Sequence, residues 1–82
     1  MNKERAIIIF KNCKSNTTLD LDIPLDITAN ELLVGLNTAY NLEIDTTDIK
    51  KCYLKAENPI ALIKGNKTLA QFGIRNGSII SY

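Results

Sequence analysis

The chain has no histidine, no tryptophan, two cysteines and two prolines among its 82 residues. Lack of histidine removes the commonest general base, the commonest metal ligand and the side chain that switches charge near neutrality. Two cysteines are too few for a disulfide-stapled mini-scaffold and for the usual zinc and iron–sulfur ligand sets. An excess of one charge is missing too, since 10 Lys and Arg stand against 9 Asp and Glu, a formal net charge of +1. That balance argues against a polyanion such as nucleic acid held by bulk electrostatics. No apolar run approaches the roughly 18–20 residues that span a bilayer, so direct membrane insertion is not expected. The start, Met1 to Arg5, lacks the basic head, long apolar stretch and cleavage site of a secretory leader. These absences predict a cytoplasmic chain that is not an enzyme and needs no cofactor.

What is present suits one small core. Apolar residues make up 45% of the chain. A chain of this length buries about 60–65% of its unfolded surface, enough for a single domain over residues 1–82. Ala6, Ile7, Ile8, Ile9 and Phe10 form a solid, β-branched run, which predicts a strand inside a sheet. After the polar interruption Asn12 to Asn16, Thr18 to Ile23 alternates cleanly. Leu19, Leu21 and Ile23 are expected inward, with Thr18, Asp20 and Asp22 in water, a pattern that also suits an edge strand.

Pro24 closes that strand, and a helix over about 29–41 follows. Thr28 and Glu31 have capping-box spacing, and Ile27 and Leu32 fit a hydrophobic staple. Leu32, Leu33, Leu36, Ala39 and Tyr40 recur at helical spacing, and Asn41 is the expected stop. Gly35 inside the helix suggests close approach of helix to sheet, because it costs about 1 kcal/mol relative to alanine. Residues 42–49 read as a linking loop. Lys50 to Lys55 alternates as a third strand, with Lys51, Tyr53 and Lys55 on one face and Cys52 and Leu54 on the other. Glu57-Asn58-Pro59 reads as a turn and Ile60 to Ile63 as a fourth strand. A short helical turn over about 69–72, capped by Thr68 and stopped by Gly73, precedes the Asn76-Gly77 turn and a last strand, Ser78 to Tyr82.

That order resembles the ubiquitin-like β-grasp fold, an α+β class in which a mixed sheet wraps one helix. The residues behind the resemblance are Thr28 and Glu31 after Pro24, and the run Thr68-Leu69-Ala70-Gln71-Phe72-Gly73-Ile74. The fold implies about five strands in the order 2-1-5-3-4. Within it, Leu69, then Gly73-Ile74-Arg75-Asn76-Gly77 and the apolar Ser78-Ile79-Ile80, is similar to the YukD/EsaB-type proteins of bacterial type VII (WXG100) secretion systems. Richness in Ile, Lys and Asn fits an AT-rich, Gram-positive source.

The resemblance implies a cytosolic accessory or regulatory component whose partners are cytosolic domains of the membrane secretion machinery. Relatives that conjugate or carry sulfur end in a flexible Gly-Gly tail. Ser81-Tyr82 offers none, so no covalent conjugation is expected. Cys13 is expected in the hairpin turn, exposed, and Cys52 inward as a small core residue. Asp20, Asp22 and Asp26 read as a wet strand face rather than a cation site. Lys51, Tyr53 and Lys55 read either as a solvated strand face with one exposed Tyr or as a partner-binding patch on the outer sheet face, which Ile79 extends if Ile80 and Tyr82 point inward. The competing reading of Lys–aromatic–Lys on a sheet is an RNA- or ribosome-associated module. Asp20 and Asp22 oppose these lysines across the sheet, which suggests weak head-to-tail self-association.

Overall fold

A computed structural model describes residues 4–45, 47–48, 50 and 52–82. The elements run β1 (Arg5–Asn12), β2 (Thr17–Pro24), α1 (Ala29–Tyr40), β3 (Leu54–Glu57), β4 (Ala61–Ile63) and β5 (Ile79–Ser81). The strands form one five-stranded sheet in the order β2-β1-β5-β3-β4. β1 pairs antiparallel with β2 and parallel with β5, and β3 pairs antiparallel with both β4 and β5. This is the ubiquitin-like order that the sequence resemblance implies.

The core lies between one face of the sheet and α1. Ala6, Ile8 and Phe10 from β1, Leu54 and Ala56 from β3, Ile63 and Ile80 join Ala29, Leu32, Leu33 and Leu36 of the helix. Tyr40 and Tyr82 flank the Phe10 ring, with centroids 5.6 and 6.2 Å away. Tyr82 also stitches the first hairpin, as its hydroxyl donates to Asn12 Oδ1 at 2.7 Å and accepts from Lys14 N at 2.6 Å.

The helix begins where the residues say it should. Glu31 N donates to Thr28 Oγ1 and Thr28 N to Glu31 Oε1, both at 3.1 Å. The amides of Ala29 and Asn30 reach the carbonyls of Lys67 and Gly65, each at 3.0 Å. Every orphan donor of the first turn is thus satisfied, and the helix entry is tied to the segment before Thr68. Asn41 ends the helix in the left-handed conformation, φ 52°. Thr68 repeats the capping device, exchanging side-chain and backbone bonds with Gln71 at 2.9 and 3.2 Å. The short segment after it is a series of hydrogen-bonded turns closed by Gly73 at φ 82°.

Several expectations are corrected. β3 spans Leu54–Glu57 rather than Lys50 to Lys55, because its partners are β5 and β4, and only residues 54–57 lie beside them. Ile60 precedes β4 and is 91% exposed. Gly35 makes no close approach, since a Cβ there would meet nothing within 4 Å. Ala39 is exposed rather than part of the buried stripe. Cys52 lies before β3, half-buried and outside the core, with its thiol donating to the Asp45 carbonyl at 3.4 Å. The solid run of β1 is interior to the sheet, but only alternate residues are buried: Ile8 is 0% exposed and Ile7 56%.

A candidate docking face on the sheet

The face of the sheet turned away from α1 follows directly from strand pairing. Register places Asp20, Ile9, Ile79 and Glu57 side by side in one row across four strands. The next row runs Thr18, Lys11, Ser81, Lys55 and Leu62 across all five. Ile7 opposite Asp22 begins a third. Side chains alternate across a strand, so these residues share one face while Phe10, Ile80, Ala56 and Ile63 share the other.

The centre of this face is apolar and accessible. Ile9 and Ile79 are half-buried neighbours, and Leu62 is 49% exposed. A shallow groove between β3, β4 and β5 is lined by Lys55, Glu57, Ile60, Leu62 and Ile79. The turn that presents Ile60 is braced from below. Ser78, fully buried, donates from Oγ to the Asn58 carbonyl at 2.7 Å and accepts from Arg75 N at 3.0 Å. Arg75 Nη2 adds a bond to Asn58 Oδ1 at 3.0 Å. With both sides of its hydroxyl engaged, Ser78 serves as a strut, and the exposed isoleucine sits on a fixed support.

Of the residues picked from sequence, Lys55 and Ile79 lie on this face in adjacent rows. Tyr53 precedes β3 and is half-buried. Lys51 lies outside the described residues. Ile7, Ile60 and Leu62 were missed, because residues 6–10 are apolar throughout and only the burial alternation of the folded strand separates Ile7 from Ile8. The charge is balanced: among the strand residues described, Asp20, Asp22 and Glu57 share the face with Arg5, Lys11 and Lys55, three carboxylates against three cations, with Arg5 paired to Asp22.

The model of the family described as "WXG100 protein secretion system (Wss), protein YukD" matches residues 8–81. The chain belongs to this YukD family. Among curated proteins, none matches it. Solved structures agree on the fold. The C-terminal ubiquitin-like domain of mouse tubulin-specific chaperone e superposes with a TM-score of 0.71 at 13% identity, covering 99% of this chain and 87% of that one. The UBL domain of Plasmodium falciparum Dsk2 gives 0.60 at 16%, covering 95% and 97%. A designed protein based on ubiquitin gives 0.63 at 19%, covering 94% and 84%. At such identities the likeness extends to the fold alone. This YukD-family chain is thus a ubiquitin-like member of a secretion-system family. No described helix is long and apolar enough to cross a membrane.

Proposed function

We propose that this chain is a single-domain, non-enzymatic and non-conjugating interaction module of a WXG100 secretion system. It works in the cytoplasm by docking the outer sheet face onto cytosolic domains of the membrane machinery. The observation behind this reading is the continuous apolar centre Ile9–Ile79, extended by Leu62 and Ile60 and rimmed by charges of both signs. Apolar centres with polar rims suit protein partners. Carboxylates and cations are equal in number among the described strand residues of this face, so a nucleic acid would meet no excess of positive charge there, which favours a protein over the RNA reading. Tyr53, just before β3, is proposed as the rim on that side.

The test is purification of the tagged chain from its own host after nuclease treatment, read by mass spectrometry. Membrane components of the secretion system are expected, and they are lost when Leu62→Glu and Tyr53→Ala are combined at unchanged thermal stability. Enrichment of ribosomal proteins, or capture indifferent to both substitutions, would sink the reading.

A further inference from the structure

The opposite end of the sheet carries a second surface. β2 is an edge strand of eight residues, and none of the described residues pairs on its outer side. Which of its backbone groups are free follows from the bonds of its neighbour. Gly77 N donates to Ile7 O and Ile9 N to Ser78 O, so the odd residues of β1 turn toward β5. The even residues then turn toward β2, as the Leu25 N bond to Glu4 O shows at the start of the ladder. In this register Thr17, Leu19, Leu21 and Ile23 are spent on β1. Thr18, Asp20 and Asp22 direct their N–H and C=O groups outward.

The side chains beside that free edge differ between the two faces. Asp20 and Asp22 are exposed on the outer face, and Leu19 and Leu21 are half-buried on the inner one. The chain itself shows how a cation is received here. Arg5 Nε donates to Asp22 Oδ1 at 3.0 Å while its Nη2 donates to the Asp22 carbonyl at 3.2 Å, so one guanidinium takes both the carboxylate and a free edge carbonyl. The Asp20 carboxylate and the edge groups of Thr18 and Asp20 have no such occupant among the described residues. A second copy is a poor one, because pairing two β2 edges over this stretch sets Asp20 against Asp22, and like charges directly opposite destabilise a sheet.

We propose that the β2 edge binds an extended partner segment in which basic and apolar residues alternate. The segment adds a sixth strand to the sheet. Its amides and carbonyls pair with Thr18, with Asp20 and with the Asp22 N–H, a lysine or arginine stands beside Asp20, and its apolar side chains cover Leu19 and Leu21. Main-chain bonds hold the segment and Asp20 selects it. This surface lies at the other edge of the sheet from Leu62, so it can fail without touching the docking reading above.

The probe is a short capped peptide of alternating valine and lysine, titrated into the 15N-labelled full chain. Expected are shifts and slowed hydrogen exchange at the amides of Thr18, Asp20 and Asp22. Asp20→Lys, which leaves the Arg5–Asp22 pair intact, should weaken binding by about tenfold or more at unchanged melting temperature. The valine–glutamate counterpart should not bind. Methylating alternate peptide nitrogens on the pairing side should abolish binding, whereas ion pairing alone would survive it. Absence of binding, survival of N-methylation, or shifts confined to Ile79, Leu62 and their neighbours would each overturn the proposal.

Discussion

The two faces of the sheet are made from similar residues and end in opposite environments. Along β1, Ala6, Ile8 and Phe10 disappear under α1, while Ile7 and Ile9 stay on the side that no helix covers. Isoleucine is therefore no marker of the core in this chain. Cover decides, and a single 12-residue helix can cover only one side. The apolar residues left on the other side, Ile7, Ile9, Ile79 and Leu62, therefore remain within reach of water.

Ile8→Ala and its neighbour Ile7→Ala give the sharpest test of that contrast. Ile8→Ala removes a fully buried side chain and should cost about 2–5 kcal/mol in urea unfolding, including the cavity left behind. Gly35→Ala comes next in size, with opposite sign. Nothing lies near the missing Cβ, so the helix should gain about 1 kcal/mol, seen as a higher melting temperature. Ile7→Ala, one residue from Ile8, should change stability by only about 0.5 kcal/mol, because over half of that side chain is already in water. Equal losses at positions 7 and 8 would mean that the outer face is covered after all, and the comparison would collapse.

Local features were legible in advance. The Thr28–Glu31 capping box, the Asn41 stop and the inward set Leu19, Leu21 and Ile23 each depend on residues a few positions apart. The β3 boundary was not, because alternation from Lys50 to Lys55 says only that a strand is possible. Its true span is fixed by β5, more than twenty residues away along the chain. Gly35 misled for a related reason. A helical glycine costs stability, and close packing is the usual compensation, but here the helix turns that position to solvent. The candidate face shows the same division: Lys55 and Ile79 were found by parity within their strands, whereas Ile60 and Leu62 join them only through cross-strand pairing. The alternation of β2 suits an edge strand, but which of its backbone groups are free becomes visible only with the register.

β5 is three residues long, yet it alone joins the two hairpins, β1–β2 on one side and β3–β4 on the other. Its pairing with β1 links Ile9 to Ile79 across nearly the whole length of the chain. Each hairpin can form from near neighbours, but the sheet must wait for the last-made strand. Two hairpins thus precede in the chain the strand that joins them, and closure of the sheet rests on a long-range contact, the kind that carries the larger loop-closure cost, rather than on a local one.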